Sequence, residues 1–224
     1  KARHGMNESI ARLSTGMRSM YGGDAAGQSV ANTLEARSKS WAVAARNAED
    51  GISVAQTAES ALLEIASLAQ RLRELGIQAD NAALHQSASD TAALNAEAAA
   101  LGTAIDQIVT KATFNGVVIL SKADLTRDIG VTDDGGTVTL NLKKVSVATR
   151  TAAAAADGSA DTTLQEVAIA LGNVAAGIAA LKGRQAVAYS ASANLAAAAS
   201  RIEDTDFAKE TANLAKNSVL NQSA

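Results

Sequence analysis

The side chains that most often bind metals or act as nucleophiles are few and widely separated in this sequence. His4 and His85 are the only two histidines, and neither stands three or four residues from another histidine, as a helical zinc site requires. The chain has no cysteine, so it has no thiol nucleophile, thiolate metal site or disulfide. We therefore expect no metal site, and we place both histidines at the surface or in a partner contact.

The acidic residues offer two further candidates, and neither predicts catalysis. Asp133 and Asp134 precede Gly135 and Gly136, but the alternating oxygen ligands and the closing glutamate of a calcium loop are missing, so we interpret the segment as a turn. Glutamates and arginines share one helix, where a solvated charged face is the simpler interpretation: Glu59, Glu64, Glu74, Arg71 and Arg73. The sequence contains no phosphate-binding glycine loop and no nucleophile elbow. We predict a protein that is not an enzyme and has no cofactor.

The composition favours long helices. Among 224 residues there is no proline, and the 47% of apolar residues are mostly alanine, which allows helix backbones to approach closely. Basic and acidic residues number 20 and 23 and are interleaved, and only 2% of residues are aromatic, so nucleic acid is not an expected partner. No stretch of about 18 apolar residues occurs, so we predict no membrane span.

Three heptad seams organise these helices. Each seam repeats small or apolar residues at alternating spacings of three and four, the pattern of helices that pack side by side. The first seam includes one charged position, Arg37. The first runs through Val30, Leu34, Trp41, Ala44, Ala48, Gly51, Ala55, Ala58, Leu62, Ile65, Ala69 and Leu72. The second runs through Leu94, Ala98, Leu101, Ile105 and Ile108. The third runs through Leu164, Val167, Leu171, Val174, Ile178, Leu181, Gln185, Ala188, Ser192, Leu195, Ala199 and Ile202.

Capping signals predict where these helices begin. Asp24 is placed to cap the first long helix after a break at residues 19–23, and Ser89 or Asp90 to cap the second. Thr163 and Glu166 have the spacing of a capping box at the start of the third. Beyond Ile202 the apolar stripe shifts, which we interpret as a stutter in the supercoil.

Two further segments complete the prediction. Alternating residues around the turn at 133–136 predict a β-hairpin, with Val131 before it and Val138, Leu140 and Leu142 after it. The segment 152–162 is interpreted as a loop or the frayed start of a helix, and a short first helix is marked by Ile10, Leu13 and Met17.

The fold class predicted is mainly α: an elongated antiparallel helical bundle or coiled coil with a small β-hairpin. We divide the chain into four segments. They are a short N-terminal helix and connecting loop at 1–23, the N-terminal half of the helical core at 24–120, a hairpin and loop insertion at 121–162, and the C-terminal helix of the same core at 163–224.

Several long motifs resemble the bacterial flagellin family. They follow one another in the order found in that family: IARLSTGMR at 10–18, DAAG at 24–27, ARNAEDGISVAQTAESALLEI at 45–65, LAQRLRELGIQADN at 68–81, TFNGVVIL at 113–120 and SRIEDTDFAKETANLAKNSVLNQ at 200–222. The resemblance covers nearly all of the chain except 152–162. Three departures stand out. Gly23 replaces the second acid of the family's DDAAG, and the span from Leu120 to Thr163 has room for a hairpin but not for the family's variable outer domains. From the resemblance we also expect the terminal segments that form the inner tube in flagellins to be missing here.

The resemblance implies a structural subunit that packs against copies of itself in an extracellular filament on the bacterial flagellum or cell surface. It also implies export through the flagellar channel, with an export machinery and chaperone as partners. One alternative is a flagellin homologue displayed as an adhesin or polysaccharide receptor, for which a single tryptophan, Trp41, offers little surface for stacking on sugars. A less favoured alternative is the hook-filament junction protein.

The resemblance further implies a contact with a Toll-like receptor of a host. In receptor-active flagellins the contact is centred on the arginine and leucine of a QRxREL run and on a glutamate of the next helix. The matching residues here are Arg71, Leu75 and Glu97. Arg71 and Leu75 lie four residues apart on one helix face, so all three are candidates for one patch. The alternative is that Leu75 extends the core while Arg71 and Glu97 form an exposed ion pair.

Overall fold

The computed structural model is mainly α-helical, which confirms the predicted class. It describes residues 2–18, 24–81, 83, 87–146 and 152–222. The predicted break at 19–23 and His85 lie outside these residues. The helices are α1 (Ala2–Thr15), α2 (Ala25–Ala79), α3 (Ala88–Lys111), α4 (Ala156–Glu203) and α5 (Phe207–Gln222). The strands are β1 (Thr113–Phe114), β2 (Val117–Val118), β3 (Leu125–Gly130) and β4 (Thr137–Leu142).

The chain folds into two compact units. The first comprises residues 1–44 and 186–224, and the second comprises residues 45–185. In the first unit α1 packs along α5, where the carboxylate of Glu210 is almost fully buried 3.6 Å from Arg12. In the second unit the side chains of α2, α3, α4 and the β segments share one apolar core, which includes Leu62, Ile105 and Val167.

The predicted seams are the buried faces of the helices, with one error of register. Every residue of the third seam, on α4, is buried or half-buried, as is every residue of the first seam, on α2, from Leu34 onward except Arg37. At the start of α2, however, Val30 is 50% exposed, and Ala31 is buried instead. Arg37 is also exposed, and Ser38 takes the inner position, where its hydroxyl donates to the Ser192 carbonyl at 2.8 Å. Small inner residues let the helix backbones approach closely here.

Two of the predicted helix starts differ from the structure. Asp24 does cap α2, since its carboxylate accepts from the Gly27 amide at 2.9 Å. The cap of α3 is Ser87 rather than Ser89 or Asp90, because the Ser87 hydroxyl accepts from the Asp90 amide at 3.1 Å. The three residues offer equivalent capping oxygens, so local sequence does not distinguish among them.

The start of α4 lies further upstream than the sequence indicates. A short 3₁₀ helix at Ala153–Ala155 leads directly into α4, so most of the segment interpreted as a loop or frayed start is helical. Thr163 is consequently inside the helix and buried, and its hydroxyl donates to the carbonyl of Ser146 at 3.0 Å. Glu166 accepts from the Ser146 amide at 2.7 Å instead of closing a capping box.

The expected stutter after Ile202 is a break between two helices. α4 ends at Glu203 and α5 begins at Phe207, with Asp206 accepting from the Lys209 amide at 3.1 Å as its cap. The chain after α1 lies beside this break, because the Glu203 carbonyl accepts from Arg18 and the Gly16 carbonyl from Thr205. The segments that follow α1 and α4 thus satisfy backbone hydrogen-bonding groups left open where these two helices end.

The predicted β-hairpin is present as β3 and β4, which pair antiparallel from Leu125 opposite Leu142 to Gly130 opposite Thr137. Gly135 has a φ of +88°, which only glycine adopts without strain. A second, shorter hairpin, β1 and β2, was not predicted. Its turn is Asn115-Gly116, with φ of 49° and 76°, and this dipeptide is the strongest short-range hairpin signal.

One helical stretch of the described residues, Ala153–Glu203, is long and apolar enough to cross a membrane by length and composition alone. Its most apolar window has a mean hydropathy of 1.6, although 28% of that window is buried within the chain. Core helices of soluble proteins have the same composition, and here alanine supplies much of the hydropathy. The expectation of no such stretch was therefore too strict as a statement about composition.

Candidate functional site

Arg71 and Glu97 meet on the surface between α2 and α3. The Arg71 guanidinium donates to one Glu97 carboxylate oxygen from Nε at 3.1 Å and from Nη2 at 2.8 Å. Its Nη1 donates to Glu74 at 3.1 Å. These hydrogen bonds, first to Glu97 and then to Glu74, raise the pKa of Arg71 above its usual value. We call these three residues the arginine–glutamate cluster.

Leu75 does not join this cluster at the surface. It is fully buried in the apolar core of the second unit, together with Leu72 on the same helix. Glu97 remains 45% exposed because it precedes Ala98, which is the residue that points into the core. The structure thus brings Arg71 and Glu97 together and places Leu75 beneath them, as in the second sequence-based interpretation.

Arg73 provides a second ion pair at the same end of α2. Its Nε donates to Asp161 at 2.7 Å, which joins α2 to the first turns of α4. Asp161 and Glu74 were both absent from the sequence-based site. Glu74 was recognisable from its spacing of three from Arg71, whereas Asp161 is 88 residues from Arg73 and depends on how the helices pack.

Two other candidates for chemistry make only local contacts in the structure. His4 lies on the exposed surface of α1, 3.3 Å from Glu8. The glycine turn after β3 is closed by Thr132, whose hydroxyl accepts from the Gly136 amide at 2.6 Å. Within the described ranges no group of three or more histidines and carboxylates is placed to hold a metal ion.

The described surface carries many large apolar side chains that remain exposed. Those at least 45% exposed are Ile10, Val30, Val43, Leu63, Ile77, Val117, Ile169, Val187, Tyr189, Phe207, Val219 and Leu220. An open groove of about 910 Å³ also runs between α2 and α3, with Ala61, Leu68 and Ile108 among the residues that line it. Such grooves accept amphipathic helices of partner proteins. The geometry therefore offers surfaces for protein contacts.

Comparison with known families matches both ends of the chain. Residues 1–124 match the bacterial flagellin N-terminal helical region, and residues 158–224 match the bacterial flagellin C-terminal helical region. Phase 1 flagellin of Salmonella naestved and flagellin of Salmonella dublin are each 39% identical to this chain over 148 residues. Those residues are 66% of this chain and 29% of each relative, so the matched part is less than a third of the relatives' length.

Among solved structures, the chain is similar to the crystal structure of Bacillus cereus flagellin. The two are 25% identical, with a TM-score of 0.44, over 67% of this chain and 88% of the other.

Proposed function

Because this chain belongs to the bacterial flagellin family, we propose that it is part of a structural subunit of the flagellar filament, assembled from copies of itself outside the cell. The observation that carries the proposal is the presence of both helical regions of the family, in order, with their side chains in one core. When identical subunits contact one another through two different patches, they form an open fibre unless the rotation between neighbours closes them into a ring.

The exposed apolar side chains support assembly as the role of this surface. Leu63 on α2 and Ile169 on α4 are 56% and 52% exposed, although both helices have a well-filled inner face. Large apolar residues on the outer face of a buried helix add nothing to the fold, and they favour burial against a partner. An assembled filament would remove them from water.

Filament formation in a flagellin-deficient strain that expresses the full-length protein containing this chain tests this proposal. We expect Leu63→Ser and Ile169→Ser to shorten or abolish filaments seen by electron microscopy, while circular dichroism shows unchanged helix content and thermal unfolding. Gln165→Ser, one turn before Ile169 and also exposed, is the matched control and should leave assembly intact. If the wild-type protein makes no filament, the proposed function is wrong; if both apolar variants assemble normally, their surface is not a subunit contact.

The export channel and its chaperone are part of the same proposal, since a filament outside the cell requires secretion. The adhesin and junction-protein alternatives gain no support from the families that match.

We also propose that the arginine–glutamate cluster is the contact with a Toll-like receptor that the family resemblance implies. Arg71 and Glu97 are exposed and hold each other in place, which preorganises the guanidinium for a partner. Leu75 does not reach this surface. It contributes only indirectly, because its burial in the core anchors the part of α2 that carries Arg71.

A binding assay with the receptor ectodomain separates this role from a merely structural ion pair. Arg71→Ala should weaken binding, because arginines at the centre of interfaces are frequent hot spots. Arg73→Ala is a close control, since Arg73 lies on the same helix, has the same 49% side-chain exposure and also pairs with one acid across helices. Equal affinities for the wild type and Arg71→Ala, or no binding by the wild type, would exclude this surface.

A further inference from the structure

Arg127 differs from the other basic side chains of the described residues. Three of these side chains are half-buried: Arg12, Lys143 and Arg127. Arg12 pairs with Glu210, and Lys143 pairs with Asp124 at 2.8 Å. Among the described residues Arg127 has no carboxylate within ion-pair distance, and its Nη2 donates to the Val118 carbonyl at 3.2 Å. Its Nε is shielded from water without any acceptor.

A cation in this position is costly to the fold. The shielded Nε–H loses hydration that no acceptor among the described residues replaces, since the Val118 carbonyl bonds Nη2. Arginine binds carboxylates in a planar, two-point geometry that supplies both the missing charge and the missing acceptors. A carboxylate at Arg127 would therefore supply the missing acceptor.

The space beside Arg127 is a pocket of about 530 Å³ in the second unit. Its walls come from α2, from the β1–β2 hairpin and from β3. The lining is largely apolar and includes one aromatic ring: Val54, Phe114, Val117, Ile119 and Ile129. Small-molecule sites typically combine an apolar wall of this kind with a few polar groups that fix orientation.

Two carboxylates also line the pocket, and neither neutralises the guanidinium. Asp128 is exposed and accepts from the Thr139 hydroxyl at 2.6 Å, across the hairpin. Asp50 is exposed on α2 and forms no ion pair with Arg127. Both acids oppose the entry of an anion at long range, so a ligand must gain from the apolar wall as well as from the arginine.

We propose that this pocket binds a small amphipathic carboxylate, with the anionic group on the Arg127 guanidinium and an aliphatic body against the apolar wall. The same chemistry is available from a free carboxylic acid or from an acidic side chain of a second copy of the chain. The site is independent of the proposed filament role.

Titration of the intact protein with hexanoate, followed by nuclear magnetic resonance, tests the site. The side-chain Nε–H signal of Arg127 and the backbone amides of Asn115 and Val117 report directly on the pocket. We expect saturable shifts with hexanoate and much weaker ones with hexanol, which has the same body without the charge. This comparison needs no variant, so it does not depend on whether a substitution folds.

Substitutions of charged residues then test whether hexanoate binding depends on the charge of Arg127. Arg127→Gln should weaken hexanoate binding about tenfold or more, the loss expected for a charge-assisted hydrogen bond. Arg46→Gln changes an exposed arginine of α2 outside the pocket and should have no effect. Asp50→Asn should tighten binding because it removes a repelling charge. Absence of saturable shifts in the wild type, equal shifts with hexanol, or unchanged affinity in Arg127→Gln would each overturn the proposal.

A dilution series without hexanoate distinguishes the two sources of the carboxylate. Shifts of the pocket signals with protein concentration that Arg127→Gln lacks would identify a second copy as the donor. Signals independent of protein concentration, together with saturable hexanoate binding, would identify a free carboxylate.

Discussion

Replacing Gly76 by alanine tests how closely α2 approaches the start of α4. A Cβ atom at this buried position would lie closer to the Asp157 backbone nitrogen than to the Asp157 Cα, which would be 3.0 Å away. Both distances fall far inside van der Waals contact, and the obstructing atoms are backbone, which has no rotamer to change. Relief therefore requires the two helices to separate at this end.

Two opposing effects set the size of the change. Alanine stabilises a helix interior by about 1 kcal/mol relative to glycine. Inserting a methyl group into a packed contact costs about 1–3 kcal/mol, and a backbone obstruction places Gly76→Ala at the upper end of that range. We therefore expect the free energy of unfolding to fall by about 1–2 kcal/mol.

The matched control is Gly172→Ala in α4, where a Cβ would meet nothing within 4 Å. This position is exposed, so only the helix-propensity effect remains, and the variant should be more stable than the wild type by about 0.5–1 kcal/mol. Both glycines lie in the second unit, so the same unfolding transition reports on both.

Urea unfolding followed by circular dichroism at 222 nm measures both changes. The two variants should move the midpoint in opposite directions. If Gly76→Ala were as stabilising as Gly172→Ala, α2 and α4 would not be in contact at Asp157, and the packing described for this end of the second unit would be wrong.

Three further substitutions test the core, a helix cap and a surface ion pair. Leu181→Ala should lower the free energy of unfolding by about 2–5 kcal/mol because Leu181 is fully buried. Val187 lies on the same helix and is 52% exposed, so Val187→Ala should change the free energy of unfolding by less than about 0.5 kcal/mol. Urea unfolding measures both changes. Asp24→Ala should cost about 1 kcal/mol, since it removes the acceptor for the Gly27 amide at the start of α2, and thermal unfolding against Asp24→Asn as the conservative variant should show it. Hydrogen bonds from Lys143 and then from the Lys144 amide lower the pKa of Asp124 below its ordinary value. The contribution of Asp124 to stability is therefore present above about pH 4 and is lost as the pH falls. The stability of Asp124→Asn should decline less steeply than that of the wild type over this acid range.

The local features of this chain were predictable because they depend on neighbours in sequence. The α4 seam from Leu164 to Ile202 follows from a repeat of three and four residues, which places those residues on one side of any helix. The β3–β4 hairpin follows from the alternation of apolar and polar residues around a glycine turn. The Asn115-Gly116 dipeptide is an equally local signal, and it is sufficient to predict the second hairpin.

Tertiary contacts decided the features that local sequence leaves open. Thr163 has the sequence pattern of a helix start, yet it lies inside α4 because the alanine-rich segment before it gains burial against the core. Val30 and Ala31 are adjacent apolar residues that lie four and three residues before Leu34, so both fit the repeat, and the packing distance between helices selects which one faces inward.

The candidate site divides in the same way. The sequence placed Arg71 and Leu75 on one helix with Glu97 on the next, but helix periodicity alone is compatible with both a surface patch and a core residue flanked by an ion pair. Only the position of α3 against α2 fixes Leu75 in the core and brings the Glu97 carboxylate to 2.8 Å from Arg71. Arg127 depends on the tertiary structure even more strongly. An arginine in an alternating strand carries no local signal that its Nε will be shielded from water. The shielding follows only from the way α2 and the hairpins pack around it.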